Sequence, residues 1–106
     1  MNPVEIATLK EDNPYICNMS RMEKLFDNIL GGKSDNNIKF NELCSLLEKM
    51  GFQFRIKGSH HIYFKEGIEE IINLQSVNGH SKPYQVKQVR DLIIKYKLVI
   101  QRDEEV

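Results

Sequence analysis

The chain has few cysteines, no long apolar run and no net charge, and each lack narrows what it can be. No stretch approaches the roughly 20 apolar residues of a membrane span, and the first residues lack the apolar core of a secretory signal. The expectation is a cytoplasmic protein with no membrane association. The two cysteines, Cys17 and Cys44, form no CxxC pair and stand far from the three histidines in sequence. That spacing excludes the usual zinc-ligand patterns, so no metal and no cofactor is expected. Cys44 falls inside a helical pattern and reads as a small buried hydrophobe.

A net charge of zero argues against a phosphate-rich partner, but the average conceals an asymmetry. From Gly51 to Arg102 there are nine basic residues against four acidic ones. The first fifty residues and the acidic end cancel the difference. A basic C-terminal half suits nucleic acid better than the total does. With 106 residues the chain holds one domain, or one domain plus an appendage.

Residues 1–19 show no clean period and are read as a loose arm, in which Met19, like Met22 just beyond it, could be an alternative start. Ser20-Arg21-Met22-Glu23 has the form of a capping box. Behind it Met22, Leu25, Phe26, Ile29 and Leu30 recur at helical spacing until Gly31-Gly32 ends the pattern. This amphipathic helix, spanning 20–32, either packs on the domain or binds a partner through Leu25, Phe26 and Ile29. A second helix is expected from about Phe40 to Met50, ending at Gly51.

Three strands should follow. Phe52, Phe54 and Ile56 alternate with Gln53, Arg55 and Lys57. Lys57-Gly58-Ser59 makes a turn, residues 60–65 form the second strand, and residues 69–75 the third. Pro83 opens a last helix with Val86, Val89, Leu92 and Ile93 on its apolar face and Lys87, Arg90, Lys95 and Lys97 elsewhere. The fold class is therefore α+β. Its core is α-β-β-β-α, a three-stranded antiparallel sheet with both helices on one face, preceded by the extra amphipathic helix. The expected organisation is an arm at 1–19, the extra helix at 20–32, the domain at 36–100 and an acidic tail at 101–106.

Chemistry concentrates at Gly58-Ser59-His60-His61. If Ile62 and Phe64 face the helices, strand alternation turns His61 and Tyr63 to the open face, with Arg55 beside them. His60 stays a candidate, because a turn or bulge can rotate the first residue of a strand. RNA carries its own nucleophile, the 2′-hydroxyl. A neutral imidazole can take its proton, and Lys57 or Arg55 can stabilise charge on the phosphate oxygens. Gly58 permits close backbone approach, and Ser59 can hold a phosphate. Such a reaction needs no metal and leaves a 2′,3′-cyclic phosphate. A non-catalytic RNA-binding module would use the same surface, and a protein-interaction domain would use the extra helix.

The run Gly51-Phe52, then Lys57-Gly58-Ser59-His60-His61-Ile62-Tyr63-Phe64, then His80 and Gln88-Val89-Arg90-Asp91-Leu92-Ile93, resembles the HicA-type mRNA interferases of toxin–antitoxin pairs. The resemblance covers about Ile38 to Lys97. It implies a double-stranded-RNA-binding-like (dsRBD-like) fold, endoribonuclease cleavage of messenger RNA, and neutralisation by a HicB-type antitoxin. It also implies a catalytic histidine in the Gly-Ser turn, so His61 and His60 are the catalytic candidates. Lys57, Gly58, Ser59, Arg55, Tyr63, His80, Lys87 and Arg90 are the RNA-binding candidates. The chain departs from the family pattern before His80, where Asn78-Gly79 replaces the usual proline, and at Val86-Lys87-Gln88, where a Gly-Thr is usual.

Overall fold

The computed structural model describes residues 20–101. The expected arm at 1–19, and the acidic tail beyond Gln101, lie outside the described residues. Helix α1 runs Arg21–Gly31. Its capping box forms as expected. The Ser20 hydroxyl accepts from the Glu23 N–H at 3.0 Å, and the Glu23 carboxylate accepts from the Ser20 N–H at 3.1 Å. Gly32 ends the helix in the left-handed region, φ 70°, donating its N–H to the carbonyls of Asn28 and Ile29.

The apolar stripe of α1 is used within the chain. Leu25 and Ile29 are buried in the common core, and Met22 and Phe26 pack against it. The choice between packing on the domain and docking a partner is thus resolved toward packing for Leu25 and Ile29. A 3-10 turn at Asp35–Asn37 follows. It positions the Asp35 carboxylate to accept two bonds from the Arg90 guanidinium, at 2.9 and 3.0 Å, while the same guanidinium donates to the Ile29 carbonyl at 3.2 Å. One arginine therefore ties three segments together.

Helix α2 (Phe40–Lys49) buries Leu43, Leu46 and Leu47, and α3 (Pro83–Tyr96) buries Val86, Val89, Leu92 and Ile93. Strands β1 (Gln53–Lys57), β2 (His60–Phe64) and β3 (Ile72–Leu74) form one antiparallel sheet in the order β1-β2-β3. Both helices pack on the face carrying Tyr63, Ile72 and Leu74, all buried. This is the α+β, dsRBD-like α-β-β-β-α architecture with an extra N-terminal helix.

β3 is shorter than the periodicity of residues 69–75 predicts. Glu70 accepts from Lys95 Nζ at 2.7 Å and from the Tyr96 hydroxyl at 2.6 Å. These bonds hold residues before Ile72 against the end of α3. The loop between β3 and α3 is also anchored. Phe40 N–H donates to the Gly79 carbonyl and Ser81 N–H to the Ile38 carbonyl, while Val77 and His80 exchange both backbone bonds. No helix of the described residues is long and apolar enough to cross a membrane.

Candidate functional site

The connection between β1 and β2 is a two-residue hairpin turn. Lys57 pairs with His60 across it, and Gly58 takes φ 62° at the first central position. A type II′ turn demands a positive φ there, which glycine adopts without steric cost. The turn fixes the register: Ile56 opposes His61, Arg55 opposes Ile62 and Phe54 opposes Tyr63. Side chains that directly oppose one another share a face. Hence Arg55, Lys57, His60, Ile62 and Phe64 occupy the open face, joined by Asn73, which opposes Ile62 from β3.

This register reverses the expected parity of β2. Tyr63 does not face outward. It is 1% exposed, and its hydroxyl donates to Glu48 on α2 at 3.3 Å. His61 shares its side of the sheet, half-buried with its ring edge-on to Phe40, the centroids 4.9 Å apart and the planes at 85°. The physical reason is register. Ile72 and Leu74 on β3, and Phe54 and Ile56 on β1, must share a face with Tyr63 and His61. Ile62 and Phe64 instead lie half-buried on the open face, where the Arg55 guanidinium sits 5.8 Å from the Phe64 ring centroid. Arg55 is thus on the expected face, beside His60 rather than beside His61 and Tyr63.

His60 is exposed, and its Nδ1 lies 2.9 Å from the Oδ1 of Asn73. An amide oxygen only accepts, so Nδ1 must donate. In the neutral ring this places the lone pair on Nε2, the nitrogen turned away from Asn73. The backbone of Asn73 is itself held, because Gln85 on α3, 2% exposed, donates Nε2 to its carbonyl at 3.1 Å. The other side-chain atom of Gln85, Oε1, has no partner among the described residues. Ser59 accepts a bond from Gln75 Nε2 at 3.0 Å, leaving its own proton available to a ligand.

His60, Asn73 and Gln75 form one wall of a pocket of about 280 Å³. Lys82, Tyr84, Gln85 and Gln88, from the first turns of α3, form the other. Neither Asn73 nor this α3 wall stood out in the sequence. Asn73 was legible from alternation in β3, since burying Ile72 and Leu74 forces it onto the open face. Tyr84 was legible as the aromatic residue outside the apolar stripe of α3.

The remaining residues divide clearly. His80 is exposed, its Nδ1 3.2 Å from the Asn78 carbonyl in the anchored loop. Lys87 lies on the solvent side of α3, paired with Asp91 at 2.9 Å. Arg90 does not present its guanidinium to the surface. It is spent on Asp35 and Ile29, and its side chain is 16% exposed. The bonds it donates to Asp35 raise its already high pKa further. Cys44 is buried, and burial pushes its thiol up, away from the thiolate a nucleophile needs. Burial, with Cys44 and Glu48 adjacent, likewise keeps the Tyr63 phenol protonated. Among the described residues no three His, Cys, Asp or Glu side chains cluster to hold a metal ion.

Comparison with curated proteins and with solved structures yields no significant match. The model of the HicA toxin family of bacterial toxin–antitoxin systems, however, matches residues 40–96. That span opens on the first residue of α2, ends on the last residue of α3 and contains the whole sheet. It covers more than half of the chain, and the protein belongs to the HicA toxin family.

Proposed function

We propose that this chain is the toxin of a type II toxin–antitoxin pair and a metal-independent endoribonuclease that cleaves messenger RNA, with His60 as general base. The observation that carries the reading is the placement of His60. It stands exposed on the open face beside Lys57, with Nδ1 engaged by Asn73 so that Nε2 is free to accept a proton.

Nε2 takes the proton of a ribose 2′-hydroxyl, and the oxygen attacks the adjacent phosphorus. The bond to the 5′-oxygen breaks, and that oxygen is protonated from solvent. The products are a 2′,3′-cyclic phosphate and a 5′-hydroxyl. Negative charge grows on the phosphate oxygens in the transition state, where Lys57, Arg55 and the Ser59 hydroxyl are placed to stabilise it. Gly58 leaves the turn without a side chain, so a sugar–phosphate chain can approach its backbone. Lys87 extends the cationic surface along α3. His61 and His80 take supporting parts, His61 by packing beneath the turn and His80 at the edge of the anchored loop.

A HicB-type antitoxin would neutralise the enzyme by covering this face. Reaching around the edge strand, it would also meet Phe54 and Ile56, 44% and 58% exposed on the other face of β1 next to the turn. The test is end-group analysis of RNA incubated with the purified chain in EDTA. Fragments ending in 2′,3′-cyclic phosphate are expected. RNA that is bound but left intact overturns the reading in favour of a non-catalytic RNA-binding module.

A further inference from the structure

The pocket beside His60 has a second wall that the proposed chemistry does not use. Tyr84 stands on the first turn of α3, 64% exposed. Its ring lies outside the apolar stripe formed by Val86, Val89 and Ile93, so packing does not account for it. Lys82 precedes it, with Nζ 5.9 Å from the ring centroid. Both line the same pocket as His60, whose other walls carry the side-chain amides of Gln75 and Gln88.

An exposed aromatic face, an adjacent ammonium and nearby amides match the parts of a nucleotide. Bases stack on aromatic rings, phosphates pair with lysine, and amides meet the polar edges of bases. A base inside an A-form duplex is stacked on both sides and cannot offer its face to a tyrosine. The pocket, about 280 Å³, is of a size for one nucleotide rather than for a helix.

We propose that Tyr84 and Lys82 form a nucleotide subsite. Tyr84 stacks the unstacked base next to the scissile phosphate, Lys82 holds a flanking phosphate, and the substrate is therefore a single-stranded segment of RNA. The inference rests on His60 as the reacting centre. It assigns Tyr84 as the residue that positions the strand and biases the choice of cleavage site.

The test is equilibrium binding to full-length chain carrying His60→Gln, which prevents turnover. A fluorescent single-stranded RNA and the same sequence as a duplex serve as probes. Tyr84→Ala should weaken single-strand binding by about ten-fold or more, as loss of a stacked base does. Tyr84→Phe, which keeps the ring, should stay within about three-fold of its parent by the same reasoning. Lys82→Met should lower the slope of log Kd against log salt by about 0.7, one phosphate contact on a single strand. Equal affinity of the Tyr84→Ala protein and its parent overturns the subsite. So does an equal loss with Tyr84→Phe, or an equal loss on duplex and single strand. With His60 intact, Tyr84→Ala should raise KM more than it lowers kcat and redistribute the cut sites. If the intact chain cuts no RNA, the His60 reading fails, while the binding arms still decide the subsite.

Discussion

His60 and Asn73 meet on the open face of the sheet, Nδ1 to Oδ1 at 2.9 Å, although they belong to different strands and are not direct partners in the ladder. The amide oxygen selects one tautomer of the neutral imidazole and leaves the lone pair on Nε2. Replacing Asn73 should therefore affect the rate before it affects the fold. Asn73→Ala should lower kcat about ten-fold or more through loss of tautomer and orientation. Asn73→Asp should retain more activity than the alanine variant. Its carboxylate favours the imidazolium, so the acid limb of the pH–rate profile should move to higher pH than in the parent. A profile that stays in place in Asn73→Asp would show that the contact does not govern the base.

The same relationship shows what was legible in the sequence and what was not. The capping box at Ser20, the apolar stripes of the three helices and the turn at Gly58-Ser59 all follow from local patterns that the fold preserves. The orientation of β2 does not follow from β2 alone. His60-His61-Ile62-Tyr63-Phe64 is apolar on both sides, and a tyrosine is as suited to a core as a phenylalanine when its hydroxyl finds a partner such as Glu48. A non-local constraint settles it. A two-residue turn pairs Phe54 with Tyr63 and Ile56 with His61, so the apolar face of β1 dictates that of β2. The environment of Arg90 is non-local for a related reason. Its pairing with Asp35, fifty-five residues away, leaves no trace in local periodicity.

Arg90 should behave as a structural pin. Arg90→Met removes a half-buried bidentate ion pair and the bond to Ile29, and should cost about 1–2 kcal/mol by urea denaturation. The salt dependence of RNA binding should not change in this variant. Lys87→Met should reduce that dependence, as loss of a phosphate contact does. A reduced slope with Arg90→Met would return Arg90 to the RNA surface.

Helix α1 lies outside the family match, yet Ile29 is 1% exposed in the common core. Ile29→Ala should destabilise the whole domain by about 2–4 kcal/mol, with a single cooperative transition. An unchanged transition would mean that α1 is an appendage rather than part of the core.

Glu70 links pH to the tether between the sheet and α3. Bonds from Lys95, then Tyr96, hold its carboxyl down from an ordinary 4.5 to about 2. A depressed acid contributes stability that is fully present above its unfolded pKa and is lost as pH falls through the folded one. The contribution of Glu70 should therefore persist at neutral pH and disappear between about pH 4.5 and about pH 2. Urea midpoints measured across that window should fall more steeply for the parent than for Glu70→Gln. Parallel curves would show that the tether carries no linkage.

The most direct test compares His60→Gln with His61→Gln, each verified as folded, in cleavage of one single-stranded RNA. With His60 as the base, its replacement should lower kcat about 100-fold or more, the usual range for a lost general base. His61→Gln, which alters packing against Phe40, should retain most of the rate. The reverse pattern, with cyclic-phosphate product persisting in His60→Gln and vanishing in His61→Gln, would contradict the assignment.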